Sequence, residues 1–309
     1  MLTTRADRAL AATLAGAPRR LRVLLQTSAA AYLGFMDGDD GDDGDDGDAG
    51  ARGDGADPCV VLVDDGGIVV PDAVRLPPGL TGRRLLAPHL DGGAPLVVGG
   101  GRVRCGPREV AVQADLDLRI GALPAAASSW AITQIADVLR TAAPRSLRPV
   151  DRSHRTTRAR SAAGAGPWPT ITHQWSSGFA DPATLVTDAP GLIGRGPGVT
   201  PSGDDILAGA ILAHTALGTP GIGAAAARIV QLSAGRTTAA AVTSTRGAAD
   251  ARAAEPLRRA LVALAAGGDA GPELRSVLAL GHTSGADLLR GLHDALIATT
   301  HVAAERKVS

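Results

Sequence analysis

Two stretches of this sequence combine residue types that can hold a small anion and act on it. The first, Gly191 to Gly209, reads GLIGRGPGVTPSGDDILAG. Gly194, Gly196 and Gly198 give a backbone free to take positive φ and to approach a ligand closely. The run Thr200-Pro201-Ser202-Gly203-Asp204-Asp205 then opens a helix in one of two ways. Either Thr200 caps with Pro201 at the first helical position, or Ser202 caps and Asp205 closes a Ser-x-x-Asp box. In both arrangements unpaired N–H groups and the positive helix end face the glycine loop, which is the chemistry of a phosphate or carboxylate site. Arg195 adds a guanidinium suited to bidentate contact with such an anion. The neighbouring carboxyls of Asp204 and Asp205 would repel phosphate unless they face away, order the loop or hold a cation.

The second stretch, Gly281 to Gly291, repeats the first 82 residues later. Ser284 stands where Ser202 stands, Gly285 matches Gly203, Asp287 matches Asp205, Leu289 matches Leu207 and Gly291 matches Gly209. Two similar helix starts near a pseudo-twofold axis, with their N-termini converging, would explain the repeat. A glycine at the same turn of each helix would let the pair pack closely. His282 precedes the second start, where it either moves a proton at a substrate oxygen or hydrogen-bonds backbone in a turn.

Several familiar chemistries are absent from the pattern. There is no Gly-Lys-Ser/Thr or G-x-G-x-x-G phosphate motif, no H-E-x-x-H zinc pair and no G-x-S-x-G nucleophile elbow. His214 and His293 fall within helical patterns and read as partly exposed or satisfied core residues. Cys59 and Cys105 each adjoin an apolar, strand-like run and read as buried free thiols.

The elements that must position these motifs divide the chain. Val60–Val63, Ile68–Val70, Leu96–Val98, Val110–Val112 and Leu116–Ile120 are short β-branched or alternating runs separated by Asp-Gly, Gly-Gly and Pro-Pro turn chemistry. From Ser128 onward, apolar residues recur at helical spacing, as in Trp130–Leu139, Ile206–Ala213, Ile229–Leu232, Leu257–Leu264 and Leu288–Leu296. Strands followed by helices predict an α+β protein, β-rich over residues 1–125 and mainly α-helical over 126–309. Met1–Gln26 reads as an amphipathic helix with Leu10, Leu14, Leu21, Leu24 and Leu25 on one face. Only six of the 309 residues are aromatic, so the core must be built from small aliphatic side chains.

The formal net charge of zero conceals a separation. Asp37–Asp57 holds ten Asp and one Arg in a GDDGDDGDD pattern, expected to be a solvated loop without the spacing of an EF-hand. Arg140–Arg160 carries seven Arg and one Asp, and residues 140–166 read as a basic linker. No aromatics interleave those arginines, which argues against nucleic acid as a partner. The apolar run Ile206–Leu217 is too short to span a bilayer, so no membrane is expected and a cytoplasmic protein is.

GRGPGVTPSGDDILAG followed by GHTSGADLLRGL resembles the family that includes the third, AllH-type subunit of oxamate carbamoyltransferase. Arg236-Thr237-Thr238 and the stretch to Leu264 resemble that family's Thr-rich helix start and following helices. The likeness covers Gly191 to Leu296 well and the N-terminal half loosely. Arg195 is a departure, at a position where a hydrophobic residue is usual, and the acidic run is another. The resemblance implies a subunit of an enzyme of the allantoin branch of purine breakdown, which interconverts oxalurate plus phosphate with oxamate plus carbamoyl phosphate. It implies other carbamoyltransferase subunits as partners and a small anionic substrate. On that chemistry the expected phosphate or carboxylate ligands are Gly194, Arg195, Gly196, Gly198, Thr200, Ser202 and Gly203, with Thr283, Ser284 and Gly285 at the carbamoyl group. Ser202, His282 and Asp205 are the catalytic candidates, and Asp205 and Asp287 order the two caps. No cofactor is expected, with a divalent cation at Asp204 as the alternative. Two other readings stay open: a non-catalytic anion-sensing or scaffold subunit, and a metal-assisted hydrolase using Asp204 and Asp205.

Overall fold

The computed structural model describes residues 2–27, 30–36, 59–146 and 179–308. The acidic run Asp37–Asp57 and the basic run beyond residue 146 lie outside the described residues. The N-terminal part is built on strands β1 (Leu2–Asp7), β2 (Arg19–Gln26), β3 (Ala30–Phe35), β4 (Val60–Val63), β5 (Ala73–Arg75), β6 (Leu96–Gly99), β7 (Arg102–Cys105) and β8 (Arg108–Leu116). They close into a barrel in the order β1-β5-β4-β3-β2-β6-β7-β8. Most neighbours are antiparallel, but β4–β5 and the closing pair β1–β8 are parallel. Closure leaves no strand edge open in this sheet.

Two short helices feed the barrel core. α1 (Arg8–Leu14) contributes Leu10 and Leu14, and α2 (Gly82–Gly92) contributes Leu85 and Leu86. The N-terminus is therefore a strand, a short helix and a strand, and not the single amphipathic helix expected over Met1–Gln26. Leu10 and Leu14 do keep helical spacing. Gly16 and Pro18 then end that helix, Arg19 and Arg20 pair with β6, and Leu21 onward pairs with β3. Leu21, Leu24 and Leu25 fit a helix face on paper, but barrel pairing decides their conformation. Ile68–Val70 is not a strand: Val69 is buried in a loop and its carbonyl accepts from the Glu255 amide at 2.9 Å.

The helical part comprises α3 (Ala125–Ser146), α4 (Pro182–Asp188), a 3-10 turn at Ala189–Gly191, α5 (Ser202–Ala216), α6 (Ile222–Ser233), α7 (Ala239–Ala249), α8 (Glu255–Ala265), α9 (Gly271–Val277) and α10 (Ser284–Val308). The start of the expected basic linker is the end of α3. α5 is the central helix, buried on nearly every side, with α10 crossing it. One continuous aliphatic cluster joins α3 and α5 to α8, α9 and α10. The protein is thus α+β, a β-barrel followed by a mainly helical part.

Two devices hold the barrel on the helices. A third apolar cluster sets Cys59, Val61, Val63, Leu116 and Leu118 of the barrel side against Ala239 and Ala240 of α7. Beside it, the buried Arg252 joins Asp7 at the end of β1, Asp72 at 2.7 Å and Asp250 at 3.0 Å. Cys59 donates its amide to Thr243 Oγ1 at 2.9 Å, and burial pushes its thiol pKa up to about 11, so it stays a neutral packing group.

Candidate functional site

The two sequence motifs meet at the N-terminal ends of α5 and α10, and their contacts are reciprocal. A Cβ on Gly209 would lie 2.0 Å from the carbonyl oxygen of Leu288, and one on Gly291 would lie 1.9 Å from that of Ile206. Ile206 and Leu288 occupy equivalent places in the repeat, so each helix presses its glycine on the same carbonyl of the other. The polar side chains follow the same exchange. Ser284 supports the carboxylate of Asp205, while Ser202 supports that of Asp287. Thr200 Oγ1 and Ser284 Oγ lie 2.6 Å apart and tie the two starts together. The pseudo-twofold arrangement anticipated from the repeat is present in the fold.

The helix starts differ from both capping schemes read from sequence. Pro201 occupies the cap position of α5 without a side-chain hydrogen bond, and the hydroxyls of Thr200 and Ser202 turn to the other motif instead. The glycine loop takes the positive φ expected of it, at 71° for Gly194, 116° for Gly196 and 106° for Gly198. It then folds back on the helix, so that the Gly203 amide donates to the Arg195 carbonyl at 2.9 Å. The Gly285 amide donates likewise to the Leu280 carbonyl at 3.0 Å. The amides of Ser202 and Ser284, the first residue of each helix, have no acceptor among the described residues. Each helix end therefore keeps an open donor at the same place and has its next donor closed.

Asp204 orders the loop. Its Oδ2 accepts from the Gly194 amide at 2.9 Å and from Thr237 Oγ1 at 2.8 Å. Thr238 caps α7 and also donates to the Val199 carbonyl, so the Thr-rich turn clamps the glycine loop from the far side. The importance of Thr237 and Thr238 follows from these bonds. In the sequence they stand out only through the family likeness. Arg195 is exposed and reaches the Gly191 carbonyl at 3.3 Å. His282 is exposed in the turn before α10, beside the half-buried Thr283.

Electrostatics at this junction are dominated by three carboxyls. Burial pushes Asp205 up to about 8, with Ser284 and Thr200 opposing the shift and the charges of Asp287 and Asp204 adding to it. Burial lifts Asp204 to about 6 against the bonds from Thr237 and Gly194. Asp287 is raised as well, again by burial. One oxygen of each carboxyl is buried without a partner: Asp204 Oδ1, Asp205 Oδ2 and Asp287 Oδ2. At neutral pH Asp205 is therefore mostly the neutral acid, which lowers the repulsion an arriving anion meets. Among the described residues no three His, Cys, Asp or Glu side chains converge as they would around a metal ion.

The remaining candidates are structural. His214 is buried in α5, with Nδ1 3.1 Å from Thr219 Oγ1 and Nε2 3.0 Å from the Phe179 carbonyl. Cys59 and Cys105 are free and buried, as expected. No described helix is long and apolar enough to cross a membrane. No solved structure matches the chain. The paired motifs, the Thr-rich turn and the helices between them fall in one segment, about a third of the chain, and that segment, residues 192–296, matches the family model described as oxamate carbamoyltransferase subunit AllH.

Proposed function

We propose that the chain is a subunit of an oxamate carbamoyltransferase and that the joined N-termini of α5 and α10 hold one of its small anions. The observation that carries this reading is the pair of equivalent open amides, Ser202 and Ser284, at two helix ends tied together by Thr200 and Ser284. Two helix dipoles then act on one place, and anions are favoured there. In the transfer, the amide nitrogen of oxamate attacks the carbonyl carbon of carbamoyl phosphate. The new C–N bond forms as the C–O bond to phosphate breaks, the nitrogen gives up a proton, and phosphate leaves. Such a reaction needs donors aimed at charged oxygens and two small anions held in place. The Ser202 and Ser284 amides supply donors, neutral Asp205 spares the site a charge, and His282 stands exposed beside the second helix start to receive the proton. Other subunits of the carbamoyltransferase are the partners in this reading.

The test is carbamoyl transfer from carbamoyl phosphate to oxamate by the assembly that co-purifies with this chain, with oxalurate measured. Ser202→Ala should lower turnover about 100-fold through loss of the order around the open amides. Full activity of the assembly carrying Ser202→Ala and His282→Ala together would remove the site from the reaction. A non-catalytic, anion-sensing subunit is the second reading. The engagement of Thr200, Ser202 and Ser284 with partners inside the chain favours it. It predicts a phosphate-dependent thermal shift in the chain and unchanged turnover in the variants.

A further inference from the structure

We infer that the cavity where the barrel meets the helical part is a second binding site, for a small carboxylic acid that also carries an N–H donor. The cavity measures about 350 Å³ and is lined by Asp7, Arg8, Ala9, Asp117, Arg119 and Arg252. That is the size of a pocket for a small metabolite. It shares no residue with the helix starts at Ser202 and Ser284, and the inference does not depend on them. Its place follows from the closure of the barrel. β1 and β8 run parallel, and Asp7 at the end of one pairs with Leu116 at the end of the other. The residues that follow, Arg8 and Asp117–Arg119, therefore leave the barrel at the same end. The helical part meets them there. The Ile120 amide donates to the Ala251 carbonyl at 2.9 Å, and the Ala253 amide donates to the Leu118 carbonyl at 3.0 Å.

Those two bonds flank a bridge in which Arg119 stands directly opposite Arg252, so both side chains leave it on one face. The charges on the lining are not equally engaged. Arg252 is buried and held by Asp7 on the lining and by Asp72 and Asp250 outside it. Arg8 and Arg119 are exposed, and neither guanidinium has a partner among the described residues. Asp117 accepts the Arg119 amide on Oδ1 at 3.0 Å and keeps its other oxygen free among the described residues. Two forked donors for a carboxylate thus share one cavity with an acceptor for an N–H group. The backbone beside this cavity is strained. Ala251 and Asp72, at φ 58° and 59°, are the only non-glycine residues with positive φ among those described. One precedes Arg252 and the other accepts its hydrogen bond at 2.7 Å. Strain of this kind gathers where side chains are held ready for a ligand. An amino acid or an acid amide has the required groups, and in this cavity it would join the barrel end to the bridge.

The probes are L-glutamine, a carboxylate with N–H donors, and glutarate, a diacid of the same chain length without them. Amide exchange of the full chain is followed in the unaltered protein, in Arg8→Gln/Arg119→Gln and in Ser202→Ala. L-glutamine should slow exchange of the Ile120 and Ala253 amides, in Ser202→Ala as in the unaltered chain, and should act at lower concentration than glutarate. The arginine double variant should need about 10- to 100-fold more L-glutamine for the same protection. Without ligand its melting temperature should stay within about 2 °C of the unaltered chain, since no ion pair among the described residues is lost. A larger fall would make the two arginines structural and overturn the inference. Unchanged exchange at Ile120 and Ala253, or equal affinity in the double variant, would overturn it too and leave the helix-end site standing. Tighter binding of glutarate than of L-glutamine would overturn the part given to Asp117.

Discussion

Asp204, Asp205 and Asp287 each bury a carboxyl oxygen that nothing in the described residues satisfies. Their raised pKa values set a sign for stability. A carboxyl whose folded pKa lies above its unfolded value is favourable to the fold when protonated, and that advantage is lost as pH rises. For Asp205 the loss runs from about pH 4 to about pH 8, and for Asp204 from about pH 4 to about pH 6. Asp205→Asn keeps the shape and removes the charge. Its melting temperature should match the unaltered chain near pH 4 and exceed it by roughly 4–8 °C at pH 9, for a gain of about 2 kcal/mol. A difference that does not change with pH would show that Asp205 ionises as freely as an exposed carboxyl. Asp205 and Asp287 were visible in the sequence as equivalent members of a repeat, and Asp204 as a carboxyl beside the first of them. Their partners were not, because the spacing within one motif cannot say that its serine serves the aspartate of the other.

At the scale of elements, the crossing of α5 and α10 depends on two glycines. An added methyl at Gly209 or Gly291 would overlap a carbonyl oxygen of the facing helix. Gly209→Ala and Gly291→Ala should each destabilise by about 3 kcal/mol through forced separation of the helices. Gly223, in α6, has open space around its Cβ position, and Gly223→Ala should be neutral or stabilising by less than about 1 kcal/mol. Chemical denaturation of the three variants checks the contrast, and equal effects at all three would refute the crossing. The long helices were legible because apolar residues in Ile206–Ala213 and Leu288–Leu296 keep a period of 3.6. The caps were misread, since Thr200 and Ser202 are common cap residues that here are drawn away by tertiary partners. β2 was missed for a different reason. Leu21, Leu24 and Leu25 suit a helix face, and only pairing with β3 and β6 makes Arg19–Gln26 a strand.

For the whole molecule, the decisive contact is Arg252. It stands in the helical part and neutralises Asp7 and Asp72 of the barrel side, all three nearly excluded from solvent. Burial works to lower its pKa, but the bonds and charges of those carboxyls together raise it, so it remains charged. Arg252→Ala should destabilise the chain by about 3–5 kcal/mol, because it leaves buried carboxylates without a counter-charge. Equilibrium unfolding measures this, and a loss below about 1 kcal/mol would show that water reaches the group. The order of strands followed by helices was legible from turn chemistry and periodicity. Barrel closure was not, since nothing in Leu2–Asp7 marks it as the neighbour of Arg108–Leu116.

That closing pair carries a consequence for how the chain is made. β1 emerges from the ribosome well before the strands on either side of it, β5 and β8, and β8 ends only at Leu116. Its terminal carboxyl, Asp7, waits longer still, for an arginine 245 positions downstream. Until then the nascent chain has an unpaired strand and an uncompensated charge, and contacts so distant in sequence make for slow folding. A growing chain halted after β8 has cleared the ribosome but before Arg252 has been made should hold a barrel that opens readily. Extension until Arg252 is free of the ribosome should lock it, so that protection of the β1 amides from exchange arises long after those residues are translated.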